Sequence, residues 1–238
     1  MQVIAHRGAS SYAPENTFAS FDLALKMGAE ALETDIRATR DGVLVLFHDA
    51  RVERTTDGRG AVKDLTYTDL AELDAGRWFD ERFAGERVPT LEAFLDRYGQ
   101  QAHLALEIKA AGIEAAVFEA VRLHGLLERV TFTSFSFESC CTVLSLESKA
   151  RVGLLYGRTG PALIRGLLAA GVCQACPNAS HLTEKDVEII RNHGLEVRTW
   201  GVSTEELMHK VVDLGVDGTT IDFPDRLLQV LASRVQSQ

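Results

Sequence analysis

The chain predicts an α/β fold, a (β/α)8 TIM-type barrel, distorted and carrying a small inserted subdomain after an early antiparallel hairpin. Three observations point there. Eight short β-rich runs recur along the 238 residues, and each is followed, sooner or later, by a helical pattern. No GxGxxG follows a strand and no GxxxxGK precedes Ser or Thr, so the nucleotide-binding open sheets lose their usual signature. One further β-rich run sits too close to its predecessor for a parallel crossover, which makes it a local departure from an otherwise regular pattern.

The eight barrel strands are expected at 2–6, 31–36, 104–108, 130–134, 152–155, 172–176, 196–200 and 218–222. The extra run is 43–48, Val-Leu-Val-Leu-Phe-His, separated from the second strand's tail only by Arg40-Asp41-Gly42. Asp-Gly is a favoured two-residue hairpin loop, so 43–48 should run antiparallel to 33–39. With Asp41 and Gly42 as the loop, Asp35 faces His48 across the ladder. A slip of one residue would instead set Thr34 opposite His48. Among the helices, 112–126 carries Ile113, Ala116, Val117, Ala120 and Val121 at helical spacing. The helix at 184–193 opens at Thr183 and closes at His193-Gly194, and the one at 204–213 opens with a capping box, Ser203-x-x-Glu206. Leu227, Leu228 and Val230 mark a last helix at about 225–234.

Between His48-Asp49 and Pro89-Thr90, which opens the next helix, lie about forty residues. That is too long for a plain loop in a compact domain, and such segments are usually functional. Asp57-Gly58-Arg59-Gly60 supplies turn chemistry, and Thr66-x-x-Asp69 caps a short helix bearing Leu70 and Leu73. Trp78, Phe79 and Phe83 are expected to form a small aromatic core, making 50–89 a subdomain over the barrel mouth of a single catalytic domain, 1–238.

Composition narrows the function. Hydrophobic residues make up 46% and charged residues 25%, enough for a large core. The net charge of −9 argues against nucleic acid or stable membrane association, both of which demand excess Lys and Arg. Neither a signal peptide nor a membrane span is read, and a cytoplasmic location is expected. Oligomeric state is left open, a homodimer included. Four cysteines occur, Cys140-Cys141 and Cys173-x-x-Cys176. In a strand, residues three apart face opposite ways, so the second pair is read as reduced structural thiols.

The chemistry gathers at strand ends. Glu33 and Asp35 share a strand face, as do Glu107 and Lys109. Three carboxylates on rigid strands suit a hard divalent cation, Mg²⁺ or Ca²⁺, which would let them all stay ionised. His6 and His48 are candidate proton carriers. Arg7 and Lys109 are candidate phosphate contacts, Gly8 would let the backbone approach a ligand, and Trp200 would wall the site. Asn16 is read as helping to open the first helix. The other histidines, His103, His124, His181, His193 and His209, receive no role.

At these residues the chain resembles the glycerophosphodiester phosphodiesterase family of the bacterial cytosolic kind. His6-Arg7-Gly8, Pro14-Glu15-Asn16-Thr17, Glu33-x-Asp35, His48-Asp49, Thr56-Asp57-Gly58-x-Gly60, Pro89-Thr90-Leu91 and Glu107-x-Lys109 fall in that family's order, densely over 1–110 and more thinly afterwards, where Ser134-Phe135 and Trp200 are the anchors. The resemblance implies Glu33, Asp35 and Glu107 as ligands of one divalent cation, His6 and His48 as the acid–base pair, and Arg7 and Lys109 as phosphate contacts. It also implies cleavage of small glycerophosphodiesters to glycerol 3-phosphate and an alcohol, the glycerol 2-hydroxyl attacking phosphorus to give a cyclic phosphate that water opens. The chain departs from the pattern at Trp200-Gly201-Val202-Ser203, where relatives often carry Trp-Thr-Val-Asn. It departs again at Ile221-Asp222-Phe223-Pro224-Asp225, where Thr-Asp-Arg/Lys-Pro is commoner. Both departures are expected to shape the alcohol side and to leave the core chemistry alone. Two rival readings are a phosphodiesterase acting on lysophospholipids or phosphoinositol, and a catalytically silent glycerol-phosphate-binding module.

Overall fold

In the computed structural model, which describes residues 1–235, the chain alternates strand and helix around a closed sheet. The strands are β1 Gln2–His6, β2 Ala31–Ala38, β3 Leu44–Leu46, β4 His103–Ile108, β5 Val130–Ser134, β6 Val152–Tyr156, β7 Gln174–Pro177, β8 Glu196–Val202 and β9 Gly218–Ile221. The helices are α1 Phe18–Lys26, α2 Tyr67–Ala71, α3 Leu91–Tyr98, α4 Glu114–Leu123, α5 Phe137–Leu146, α6 Pro161–Ala170, α7 Glu184–Asn192, α8 Glu205–Asp213 and α9 Pro224–Val235. Neighbouring strands run in the order β1-β9-β8-β7-β6-β5-β4-β2, and β1 pairs with β2 to close the ring. All of those pairings are parallel, and β3 adds to β2 antiparallel from outside, which makes a TIM barrel with one appended strand. Among the described residues, no helix is long and apolar enough to cross a membrane.

The main core lies between the sheet and its helices. Phe21 of α1 packs on Phe94 and Tyr98 of α3 with ring centroids 4.7 and 5.6 Å apart, and all three are fully buried. Each such side chain contributes roughly 1.5–3 kcal/mol by leaving water. Inside the barrel, by contrast, the separate apolar cluster among the described residues is small, Ile4, Ala31 and Ala105. Stability therefore comes from the outer layer, and the inner wall is left free to carry charge. Helix starts follow their caps: Thr17, Thr66, Thr90 and Thr183 each accept a backbone N–H from three residues on, Thr66 and Thr183 with a reciprocating Asp. The cap of α8 is Thr204, not Ser203, which is left to line the cavity described below.

The β2–β3 hairpin corrects the expected register. Its loop has three residues, Arg40 to Gly42, closed by the Thr39 N–H donating to Val43 O at 3.0 Å. Gly42, at φ +82°, takes the left-handed position that a three-residue hairpin loop requires. Ile36 then pairs with Leu46 and Arg37 with Val45, so Asp35 falls opposite Phe47 rather than His48. Ladder pairing is not what brings His48 inward. Regular pairing ends at Leu46, and Arg37 Nε and Nη2 clamp the His48 carbonyl at 2.9 and 2.8 Å where the chain bends away.

Residues 50–89 have an apolar cluster of their own, Val52, Val62, Leu70, Ala75 and Val88, joined to Val45 and Phe47. It is aliphatic. Trp78, Phe79 and Phe83 stack edge-on in sequence with centroids 5.6 and 5.8 Å apart, but Trp78 is exposed and the other two are half-buried, so they form a surface ridge instead of the expected core.

Candidate active site

Parallel pairing draws the predicted residues into one place. β1 sets His6 beside Glu33 of β2, and β2 in turn sets Asp35 beside Glu107 of β4. These side chains stand at the C-terminal ends of the strands, where a packed barrel leaves room. Oxygen atoms of Glu33, Asp35 and Glu107 lie within 4.8 Å of one another, and all three residues are buried. A cavity of about 280 Å³ opens beside them, lined by His6, Arg7, Glu33, His48, Glu107 and Lys109 and by Phe135, Trp200, Ser203 and Asp222.

Three buried carboxylates this close cannot all stay charged unaided. Burial, then the charges of Asp35 and Glu107, push Glu33 up to about 7. Burial and Asp35 likewise raise Glu107, against the pull of Lys109. Asp35 goes the other way: burial opposes ionisation, but Arg7 and Lys109, and then the histidines, outweigh it. Arg7 Nε lies 2.9 Å from Asp35 Oδ2 but off the N–H axis, and Lys109 Nζ stands 2.7 Å from Glu107 Oε1 and 3.5 Å from Asp35 Oδ1. Asp35 Oδ1 is buried without a hydrogen bond. An orphaned carboxylate oxygen among oxygen donors, with Glu33 and Glu107 both pushed above the ordinary carboxylate range, fits a hard divalent cation.

Both histidines are oriented by carboxylates. His6 Nδ1 lies 2.5 Å from Asp222 Oδ1, and His48 Nδ1 lies 2.6 Å from Asp49 Oδ1. Both aspartates are held below the usual carboxylate range: His6 and Ser10 bond Asp222 against its burial, and Arg54, then His48, bond Asp49. An ionised carboxylate only accepts, so each Nδ1 carries the proton and each Nε2 is left for the cavity. The two rings are tuned apart. Burial lowers His6, but the Asp222 hydrogen bond and the Glu33 charge override it and the net shift is upward. Burial dominates at His48, with Arg7 and Lys109 adding to it against Asp35 and Asp49, and the net shift is downward.

The remaining predictions sort as follows. Arg7 and Lys109 line the cavity, tied to carboxylates. Trp200 walls it, its ring edge-on to Phe135 at 5.0 Å and its Nε1 donating to Tyr156 O at 3.1 Å. Gly8 serves packing instead of a ligand: at φ +85°, a Cβ there would stand 2.4 Å from Ser20 Oγ and 2.5 Å from the Ser20 backbone carbon. Asn16 is no cap. It is buried, donates from Nδ2 to Asp35 Oδ2 at 3.0 Å and accepts from Thr34 Oγ1 at 2.8 Å, so it holds a carboxylate in place. His103 lies at the start of β4, away from the cavity, and all four cysteines are free, with burial raising the Cys140 and Cys176 thiols to about 12.

Sequence reasoning gave no role to Asp222, Asp49, Glu15, Arg54 or Phe135. Asp49 stood in plain view beside His48. Asp222 lies within the departure expected to be remote from the chemistry, yet it bonds His6 directly.

The family model described as "Glycerophosphoryl diester phosphodiesterase family" matches residues 6–226. A glycerophosphodiester phosphodiesterase of Caldanaerobacter subterraneus subsp. tengcongensis is 37% identical over 96% of this chain and 97% of its own length. One from Bacillus subtilis (strain 168) is 37% identical over 93% of this chain and 83% of its own. The structure of an Oleispira antarctica phosphodiesterase, solved with the product sn-glycerol-3-phosphate, superposes with a TM-score of 0.90 at 30% identity, covering 98% of this chain and 97% of that one. With this match running from His6 past Asp222 to Arg226, the chain belongs to the glycerophosphoryl diester phosphodiesterase family.

Proposed function

We propose that this chain hydrolyses small glycerophosphodiesters, such as deacylated phospholipids, to glycerol 3-phosphate and an alcohol. One observation carries the reading: two carboxylate-oriented histidines and three converging buried carboxylates line a single cavity. Glu33, Asp35 and Glu107 would hold one divalent cation, Mg²⁺ or Ca²⁺, which when bound supplies positive charge to the phosphate as negative charge develops. Arg7 and Lys109 add fixed charge at the same wall. Of the two imidazoles, the neutral one takes a proton at Nε2 from the attacking glycerol 2-hydroxyl, and the protonated one gives its proton to the leaving alkoxide. Water then opens the cyclic phosphate with the two roles exchanged, which returns both rings to their starting states. Their opposed tuning lets both forms coexist near neutral pH. Phe135 and Trp200 keep water from one flank and offer an apolar wall to glycerol or the alcohol. We read residues 50–89 as a small subdomain of this single catalytic domain, and the cytoplasm as the place of reaction.

The test is release of glycerol 3-phosphate from a panel of glycerophosphodiesters, before and after EDTA and with Mg²⁺ or Ca²⁺ added back. Activity abolished by EDTA and restored by cation is expected. A protein that binds glycerol phosphate but turns over none of the panel, with either cation present, refutes the reading. Because Phe135 is exposed and lines the cavity, a lysophospholipid belongs in the panel, and preference for it would move the assignment to a longer apolar alcohol.

A further inference from the structure

Arg54 stands outside the cavity lining, with 43% of its side chain in water, yet it makes four charged hydrogen bonds. Nε and Nη2 reach Asp49 Oδ2 and Oδ1 at 2.7 and 3.1 Å, while Nη1 and Nη2 reach Glu15 Oε2 and Oε1 at 2.7 and 2.8 Å. Each carboxylate passes the contact inward. Asp49 Oδ1 holds His48 Nδ1 at 2.6 Å. Glu15 Oε1 holds Arg7 Nη1 at 2.9 Å, and Arg7 Nε lies 2.9 Å from Asp35 Oδ2. One guanidinium therefore joins three chain segments: the β1–α1 connection through Glu15, the tail of β3 through Asp49, and the insertion that carries Arg54 itself. Its own backbone is anchored nearby. Val52 is buried and its N–H donates to Gly60 O at 3.0 Å, and Thr56 Oγ1 donates to Val52 O at 2.8 Å.

We propose that Arg54 is a positioning residue, fixing the placement of His48 relative to the Arg7–Asp35 pair by clamping Asp49 and Glu15 in one planar fork. This rests on the reading above that His48 moves a proton. The chemistry explains why arginine stands there. Both oxygens of two carboxylates are gripped at once, at set angles, and the three donors of a flexible ammonium cannot make those four bonds. Exposed ion pairs add little to stability, so the mark of this role is lost turnover in a protein that stays folded. Small misplacements of reacting groups are costly in rate.

The test uses the full chain with Mg²⁺ and glycerophosphocholine. Arg54→Ala should lower kcat about tenfold to a hundredfold, with KM changed by no more than about threefold. Methylguanidinium in solution should restore part of the lost kcat. In a double-mutant cycle with Asp49→Asn, the two losses should combine to less than their product, because both act through His48. Arg54→Lys keeps the charge and loses the fork, so it should fall between wild type and Arg54→Ala, and it makes the same comparison where the alanine variant folds poorly. Wild-type kcat in Arg54→Ala overturns the proposal, as does a loss that methylguanidinium leaves untouched and that multiplies fully with Asp49→Asn. An inactive wild type, or His48→Ala as active as wild type, would instead overturn the functional reading itself.

Discussion

His6 and His48 share one design, a ring whose Nδ1 is bonded to an aspartate and whose Nε2 is left for the cavity. If both move protons, His6→Ala and His48→Ala should each lower turnover by about 10²–10⁴ with little loss of stability. The pH–rate profile should be bell-shaped, each substitution removing one limb, and the limb that disappears identifies the acid and the base. Asp222→Asn offers a finer test. An amide in place of the carboxylate keeps an acceptor oxygen but withdraws the negative charge that helps keep His6 raised, so the His6 limb should move to lower pH and kcat should fall. An unmoved limb in that variant would show that Asp222 does not tune His6. The residues of the candidate site were legible where the sequence clusters its chemistry: His6-Arg7, Glu33-x-Asp35, His48-Asp49 and Glu107-x-Lys109 converge at the cavity or beside it. The site was illegible at Asp222: closure of the expected barrel sets 218–222 beside 2–6, but nothing near Asp222 marks its carboxylate as the partner of the His6 ring.

At the scale of elements, the tight spots are turns and crossings. Gly8 lies where the β1–α1 connection passes against α1, and Gly8→Ala must both hold φ +85° and push Ser20 aside. We expect it to cost roughly 1–3 kcal/mol or more, read as a lowered melting temperature, with activity falling in step because Arg7 is its neighbour. The hairpin register was missed for a related reason. Asp41-Gly42 reads as a two-residue loop, but Thr39 Oγ1 bonds Asp41 and takes the Val43 N–H, which favours the three-residue closure. A helix cap at Ser203 gave way to Thr204 by the same kind of local competition among neighbouring hydroxyls. The insertion's aliphatic cluster supports a further expectation. Leu70→Ala should cost about 2–5 kcal/mol, the usual range for a buried leucine, and if 50–89 behaves as a unit the loss of hydrogen-exchange protection should concentrate there and spare β4–β9. Protection lost evenly around the barrel would argue that the segment is an integral part of one cooperative core.

Across the whole molecule, the barrel trades interior hydrocarbon for charge. The α/β repeat was readable along the entire chain because helix-facing strand surfaces are plainly apolar, while the three-residue apolar cluster inside left no pattern to read. That choice has a pH signature. With Glu33 at about 7 in the fold against an ordinary 4.5, the native state binds a proton that the unfolded chain does not between those values. Stability of the cation-free protein should therefore fall as pH rises through that window, by roughly 1–3 kcal/mol from this group. The difference in melting temperature between wild type and Glu33→Gln, measured without cation at pH 5 and pH 8, should widen in favour of the variant. A bound divalent cation should raise the wild-type melting temperature more at pH 8 than at pH 5, and equal shifts would argue against the carboxylates as its ligands.

The His6–Asp222 contact crosses the seam where the first strand meets the last, between residues 216 positions apart. A polypeptide emerging from the ribosome makes the imidazole almost at once and its carboxylate almost at the end. Until β9 is threaded into place, His6 has no anchor. If His6 moves a proton, onset of turnover in a synthesis reaction should follow ring closure, and a chain stalled before Asp222 should turn over little.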